Sequence, residues 1–146
     1  MPEGFTLVDE FVAPGTPGRD GHLLDYETQQ FVTSMWRRYI AAVRDDVDFS
    51  RVQPVLRRVS YSLESEALPG ERLTCGIRVA GRTRRSCTFA GVLSHSEDGR
   101  PIHVAQMVMV FLDTVTRTAV EVPTPIWAAI ERLEGRSIPI EASPTR

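Results

Sequence analysis

The segment from Asp25 to Arg44 is the only long stretch of this chain with helical periodicity. Its apolar side chains form two adjacent rows, each with steps of four residues: Phe31, Met35, Tyr39 and Val43 in one row, and Val32, Trp36 and Ile40 in the other. Two such rows make a stripe that is wider than a helix with one buried face requires. We therefore predict a long helix that is covered by apolar partners over most of its circumference.

Charged residues mark the two ends of this helix. We expect Asp25 to be the N-cap, because its side-chain oxygen can accept from the free N–H groups of the first turn. Glu27 places negative charge near the positive end of the helix dipole. Three arginines lie toward the other end, where cations are favoured: Arg37, Arg38 and Arg44.

Most of the remaining chain has apolar residues with a period of two, which is typical of strands. The predicted strands are residues 5–12, 55–63, 73–79, 86–93 and 102–112. The last of these is a near-continuous apolar run, so we predict that it lies centrally and is covered on both faces. A short helix is predicted over residues 126–133, and Gly135 ends it.

These elements predict an α+β fold: one long central helix wrapped by a curved antiparallel sheet of five or six strands, with a short C-terminal helix. Burial of the seven apolar side chains of the long helix contributes about 10–20 kcal/mol before entropy is subtracted, which favours a sheet that curls around it. The 146 residues suit one domain. We assign residues 1–135 to this domain and residues 136–146 to a flexible C-terminal tail.

Composition excludes several classes of protein. The formal net charge of −2 gives no general attraction to nucleic acid or to an anionic membrane. The sequence has no run of about 18 apolar residues that would span a membrane, and its N-terminus lacks the parts of a signal peptide. We therefore expect a cytoplasmic protein in which Cys75 and Cys87 are reduced, strand-borne thiols.

Several short motifs occur in a characteristic order. Gly21-His22 precedes the long helix, and a Leu-Pro-Gly-Glu turn at residues 68–71 precedes the third predicted strand. They are followed by a hairpin at residues 81–86, and then by the last long strand and its exit at residues 108–117 and 122–123. In this order and spacing the chain, from about residue 5 to residue 133, resembles the hot-dog fold thioesterases of the 4-hydroxybenzoyl-CoA and acyl-CoA type.

The resemblance implies a hot-dog fold and a dimer or dimer of dimers. It also implies active sites between subunits, with the pantetheine arm of an acyl-CoA threading the interface. Many family members carry Asp-x-x-Gly-His-x-Asn-Asn before the helix. In this chain Asp20 directly precedes Gly21-His22, and Leu24-Asp25 stands where the two asparagines are common.

The start of the long helix offers the chemistry that thioester hydrolysis needs. The first turn of a helix has unpaired N–H groups and a partial positive charge, which would stabilise the negative charge that develops on a thioester oxygen. We expect the backbone from Leu24 to Tyr26 to supply these donors. A nearby carboxylate would act as general base or nucleophile.

Four residues are candidates for this catalytic role: Asp20, His22, Asp25 and Glu27. Asp20 is the leading base by position, and its alternative role is to stabilise a turn in the loop. For Asp25 the alternative is the N-cap, and for Glu27 it is a partner of the helix dipole. His22 either orients the substrate or holds the loop.

The predicted hairpin at residues 81–86 carries a second group of candidate residues, which would bind substrate: Arg82, Arg84, Arg85 and Ser86. Arginine side chains suit the phosphates of CoA. The alternative is a solvated hairpin without a ligand.

The sequence therefore predicts an acyl-CoA or acyl-carrier-protein thioesterase that uses no metal, and no cofactor beyond the CoA or phosphopantetheine of its substrate. The three histidines are scattered without metal-ligand spacing. Two alternatives stay open. One is a hydratase or dehydratase on the same fold, with His22 and Glu27 as acid and base, and the other is a non-catalytic protein that binds acyl thioesters.

Overall fold

The computed structural model describes residues 4–141, which form six strands and two helices. In chain order they are β1 (Leu7–Val12), α1 (Asp25–Arg44), β2 (Val52–Leu63), β3 (Arg72–Arg82), β4 (Ser86–His95), β5 (Pro101–Asp113), β6 (Ala119–Val120) and α2 (Thr124–Glu134). The helix α1 has the bounds that its periodicity predicts. The short strand β6 is an element that the sequence pattern did not reveal.

The strands form one curved antiparallel sheet. Their order is β1-β3-β4-β5-β2, and β6 pairs with β5. The helix α1 packs against β3, β4 and β5, so it lies over the middle of the sheet. The predicted α+β architecture, with a long helix against a sheet and a short C-terminal helix, is confirmed.

The apolar stripe of α1 is buried as predicted. Five of its seven large apolar side chains belong to residues that are at most 6% exposed: Val32, Met35, Tyr39, Ile40 and Val43. Phe31 and Trp36 are partly buried and pack against the same core. The stripe therefore sets the rotation of α1 about its own axis.

The N-cap of α1 is Leu24, so the prediction that Asp25 is the N-cap is wrong. Leu24 has extended backbone angles, and Asp25 is the first helical residue. The capping interaction comes from within the helix, because Glu27 Oε1 accepts a hydrogen bond from the Leu24 N–H at 2.8 Å. The Asp25 carboxylate therefore does not cap the helix.

The strand β5 is covered on both faces along only part of its length. It lies inside the sheet between β4 and β2, and Met109, Val110 and Phe111 are buried in succession. Nearer its start, Val104 and Gln106 are exposed on the face away from α1. The predicted two-sided cover is therefore right for the second half of β5 and wrong for the first.

The chain after α2 packs against the domain as far as residue 141. Gly135 ends α2 with φ at 72°, a conformation that favours glycine. Ile138 is 4% exposed, and the backbone N–H of Glu141 donates to the Arg82 carbonyl at 2.9 Å. The predicted tail is thus in contact with the domain over residues 136–141, while residues 142–146 lie outside the described residues.

Candidate active site

A pocket of about 420 Å³ lies between the first turn of α1 and the segment that follows β2. Its lining comes from the start of the helix, from residues 63–67 and from Ile102 at the start of β5. The helix and the three residues before it contribute His22, Leu23, Leu24, Asp25 and Thr28. Two of the four candidate catalytic residues, His22 and Asp25, therefore face one pocket.

The Asp25 carboxylate at this pocket is paired with a tyrosine from the edge strand β2. The Tyr61 hydroxyl donates a hydrogen bond to Asp25 Oδ2. This hydrogen bond is the main cause that lowers the pKa of Asp25, and the N–H of Tyr26 acts in the same direction. Asp25 is therefore ionised at neutral pH.

At the wall of the pocket lies a polar cluster, which we call the Thr28 cluster and which consists of the buried Thr28 and His103 and the partly buried Gln29. The Thr28 Oγ1 is 2.8 Å from His103 Nδ1, and His103 Nε2 is 2.6 Å from Gln29 Oε1. His103 is fully buried and Thr28 is 3% exposed. Burial lowers the pKa of His103, so the imidazole is neutral near pH 7.

Tyr61 connects the Asp25 carboxylate to the Thr28 cluster. Its ring stacks on the His103 ring with centroids 4.7 Å apart, while its hydroxyl reaches Asp25. The Thr28 hydroxyl is also 3.0 Å from the Asp25 carbonyl oxygen. Asp25, Tyr61 and the Thr28 cluster thus form one connected polar network at the start of α1.

Asp20 and Glu27 hydrogen-bond to nearby backbone and do not line the pocket. Asp20 Oδ2 accepts from the Thr16 N–H at 2.7 Å, which is the turn-stabilising role. Glu27 accepts from Leu24, as described above. Catalytic roles for Asp20, Glu27 and His22 stay predictions.

Of the predicted oxyanion donors, Leu24 and Asp25 line the pocket, and Tyr26 follows them in the first turn. The N–H of Leu24 is taken by Glu27. Those of Asp25 and Tyr26 face the Asp25 carboxylate closely enough to lower its pKa. The first turn therefore has two donors that an oxygen of a ligand could share.

The predicted substrate-binding residues of the β3–β4 hairpin lie at the other end of the sheet. Ser86 begins β4, whereas Leu93 pairs with His103 beside the pocket. Seven residues of strand separate the two by about 23 Å. The Arg82 guanidinium stacks on the Trp127 ring at 3.6 Å, and within one chain this hairpin does not join the pocket.

Sequence reasoning missed four residues of this network: Thr28, Gln29, Tyr61 and His103. One signal for them is local, because His103 interrupts the apolar run of β5. Another is helical spacing, because Thr28 is one turn before Val32 on the buried face of α1. Tyr61 gave no comparable signal, since only the β2–β5 register brings it near His103.

Within residues 4–141 no group of three or more His, Cys, Asp or Glu side chains is arranged to hold a metal ion. Neither described helix is both long and apolar enough to cross a membrane. A larger depression of about 600 Å³ lies beyond the end of α1, and none of the predicted site residues lines it.

No protein-family model matches this chain, and no curated protein matches it. Solved structures do match it. A thioesterase from Thermus thermophilus, in complex with coenzyme A and Zn, matches with a TM-score of 0.77 and 21% sequence identity. The match covers 94% of this chain and 100% of that one.

Two further matches have other substrates in their names. A 1,4-dihydroxy-2-naphthoyl-CoA thioesterase from Synechocystis has a TM-score of 0.70 at 16% identity, over 84% of this chain and 93% of that one. A 12:0-ACP thioesterase from Umbellularia californica has a TM-score of 0.74 at 12% identity, over 87% of this chain and 53% of that one. With the topology described above, these likenesses confirm the predicted fold, and this chain has the hot-dog fold.

Proposed function

We propose that this protein is a thioesterase that hydrolyses acyl thioesters of CoA or of an acyl-carrier protein to the free acid and thiol. One observation carries the proposal: a pocket with an ionised carboxylate lies at the start of α1, in a fold shared with thioesterases. The similar solved structures establish the fold alone, so CoA or acyl-carrier protein as the carrier of the acyl group is part of what we propose.

In this proposal the thioester carbonyl lies at the first turn of α1. The N–H groups of Asp25 and Tyr26 stabilise the negative charge that develops on its oxygen. The Asp25 carboxylate accepts the proton of the attacking water. In the overall reaction the carbon–sulfur bond breaks and the departing sulfur takes up a proton to give the thiol, whether water attacks the thioester itself or an ester formed from it. Asp25 suits this role because it lines the pocket and is ionised.

The test is the release of free thiol from a panel of short, long and aromatic acyl-CoAs. Asp25→Asn should lower kcat by about 10²–10⁴-fold, the usual contribution of a general base. Asp20→Asn and Glu27→Gln are the matched carboxylate controls, and we expect smaller losses from them because their side chains bond to local backbone. Thermal melts of each variant establish that it is folded.

Other outcomes would contradict the proposal. If neither acyl-CoAs nor acyl-carrier proteins release thiol, the protein is not a thioesterase. A change in enoyl absorbance without thiol release would favour the hydratase or dehydratase with His22 and Glu27. A higher melting temperature with acyl-CoA, without any turnover, would favour the non-catalytic binder.

We also propose that the protein is a homodimer that forms through β2. Its outer edge has no strand partner within residues 4–141. The helix α1 covers one face of the sheet over its central strands. On the same face of β2, the exposed fractions are 40% for Val59, 43% for Tyr61 and 56% for Leu63. They stand directly opposite core residues of β5, so they continue the core face beyond the cover of α1. A second copy, paired edge to edge, would cover this row.

Sedimentation velocity tests the dimer. The variant Val59→Arg should lower the sedimentation coefficient to that of a monomer, because a charge replaces an apolar contact of the row. Val115→Arg is the matched control, since Val115 is 87% exposed in the turn after β5, which lies beside the opposite end of β2 from this row. A wild-type protein that sediments as a monomer would refute the dimer.

The hairpin residues Arg82, Arg84, Arg85 and Ser86 keep their predicted role in binding the CoA phosphates. Arg84 and Arg85 are exposed and available for it. Replacing both by alanine should raise KM for acyl-CoA and leave kcat unchanged, because the contacts lie far from the reacting carbonyl. An unchanged KM would indicate a solvated hairpin.

A further inference from the structure

The Thr28 cluster has the arrangement of a nucleophile, a base and a residue that orients the base. The amide nitrogen of Gln29 donates to Thr33 Oγ1 at 3.1 Å, so its oxygen faces His103 Nε2 at 2.6 Å. An amide oxygen only accepts, and the hydrogen in that contact therefore belongs to His103 Nε2.

This assignment determines the state of the other ring nitrogen. A neutral imidazole carries one hydrogen, so His103 Nδ1 keeps its lone pair. Its neighbour at 2.8 Å is the Thr28 hydroxyl, whose single hydrogen has two possible acceptors, this lone pair and the Asp25 carbonyl oxygen at 3.0 Å. We assign it to Nδ1, because two lone pairs would otherwise face each other at 2.8 Å. The imidazole is thus placed to accept the hydroxyl hydrogen.

The residues of the Thr28 cluster differ in whether a substrate in the pocket can reach them. Thr28 lines the pocket, whereas His103 is fully buried behind it and touches no solvent. Thr28 is therefore the residue through which this cluster reaches the pocket that Asp25 also lines.

We propose, on the basis of the proposed thioesterase function, that hydrolysis proceeds through an acyl ester on Thr28. Thr28 Oγ1 attacks the thioester carbonyl carbon, and its hydrogen passes to His103 Nδ1. The new carbon–oxygen bond forms as the carbon–sulfur bond breaks, and the hydrogen moves from His103 to the departing sulfur. Gln29 is a positioning residue that holds the imidazole in the required tautomer.

The second half of the reaction returns Thr28 to its starting state. Water attacks the ester carbon and gives one proton to the Asp25 carboxylate. The bond from the carbon to Thr28 Oγ1 breaks, and that oxygen takes the proton back from Asp25. The sum of both halves is one thioester and one water converted to one acid and one thiol.

Asp25→Asn separates the two halves, because it leaves acylation intact and slows hydrolysis of the ester. We expect a rapid release of about one equivalent of thiol when this variant meets benzoyl-CoA or hexanoyl-CoA. Intact-protein mass spectrometry after acid quench should detect the added acyl group, and peptide mapping should place it on Thr28. Thr28→Val in the same background should give neither the burst nor the adduct, while Thr28→Ser keeps both.

Other results would overturn the ester. If wild type turns over and Asp25→Asn gives no burst and no adduct, water attacks the thioester directly and the proposed function survives without Thr28. The same conclusion follows if Thr28→Val, in the otherwise natural sequence, turns over within about twofold of wild type, since loss of a nucleophile should cost about 100-fold or more.

The tautomer of His103 is a readout that needs no substrate. Nitrogen-15 NMR of the imidazole should identify Nε2 as the protonated nitrogen and Nδ1 as unprotonated, and Gln29→Met should shift this balance and slow the burst. A proton on Nδ1 in the wild type would overturn the proposal, because Thr28 would then accept from His103 rather than donate. If wild type releases no thiol at all, the proposed thioesterase function is wrong. The NMR measurement then still shows whether the Thr28 hydroxyl donates to His103 Nδ1.

Discussion

The Val32 side chain of α1 lies directly over Gly91 of β4, so close that a β-carbon on Gly91 would be 2.5 Å from Val32 Cγ1. Only glycine allows the helix to approach the middle of the sheet at this distance. Gly91→Ala should therefore lower the free energy of unfolding by about 1–3 kcal/mol, the usual cost of overpacking a core. Urea denaturation measures it.

Gly21→Ala is the control for this change. A β-carbon on Gly21 would meet no atom within 4 Å, and its φ is not in the left-handed region. We expect its free energy of unfolding to stay within about 0.5 kcal/mol of wild type. Equal effects from both substitutions would show that packing against Val32 is not the cause.

Glu134 at the end of α2 accepts hydrogen bonds from four groups. Its Oε2 accepts from the Tyr39 hydroxyl at 2.6 Å, the Thr6 hydroxyl at 2.7 Å and the Val79 N–H at 3.2 Å, and its Oε1 accepts from Arg136. The side chain is 2% exposed. Glu134→Ala should lower the free energy of unfolding by about 2–4 kcal/mol, because several buried donors lose their acceptor.

Two further variants test that explanation by urea denaturation. Tyr39→Phe removes a single donor and should cost about 1 kcal/mol. Glu121→Ala, at an exposed position, should cost less than about 0.5 kcal/mol. If Glu134→Ala is no more destabilising than Glu121→Ala, the four hydrogen bonds contribute nothing measurable.

Tyr61→Phe removes the hydroxyl that donates to Asp25. That hydrogen bond favours the ionised carboxylate, so its loss should raise the pKa of Asp25 toward the ordinary value of 3.8. Carbon-13 NMR titration of the Asp25 carboxyl measures this pKa directly. An unchanged or lower pKa in the variant would contradict the assignment of Tyr61 as the main cause.

His103 makes the stability of the protein depend on pH. Its pKa in the folded protein is lowered from the ordinary value of 6.5 by burial. Below 6.5 the unfolded chain therefore binds a proton that the folded protein does not, so stability is complete above 6.5 and falls as pH decreases through the folded-state pKa. His103→Gln should make the free energy of unfolding less dependent on pH between about 7 and 5.

The exposed His22 provides the comparison for this experiment. His22→Gln alters a residue outside the buried cluster and should leave the slope of stability against pH as in wild type. Both curves are obtained from urea denaturation at a series of pH values. A wild-type slope in His103→Gln would assign the pH dependence to other groups.

The fold could be predicted because its signals are repeated along the chain. The bounds of α1 follow from seven apolar residues at helical spacing, and the long strands follow from period-two runs. The predicted N-cap was wrong for a local reason, because the helix begins one residue earlier, where the Glu27 side chain accepts from the Leu24 N–H. One hydrogen bond decided that position, and periodicity carries no information about it.

The site was predictable only in part. His22 and Asp25 adjoin the helix start in sequence, so their presence at one pocket follows from the position of α1. His103 and Tyr61 come from two strands, and they meet because Leu63 pairs with His103 across β2 and β5. The pairing register depends on how all the strands assemble, and the residue pattern of a single segment does not contain that information.

The buried face of α1 bears a polar residue near each end of its apolar stripe: Thr28 bonds to His103, and Tyr39 bonds to Glu134. The two positions are eleven residues apart, which corresponds to about 16 Å along the helix axis. A rotation of the helix that improved packing at either end would break directed bonds at the other. For protein engineering, repacking of this core designed for heat resistance should therefore also be tested for its effect on the proposed thioesterase activity.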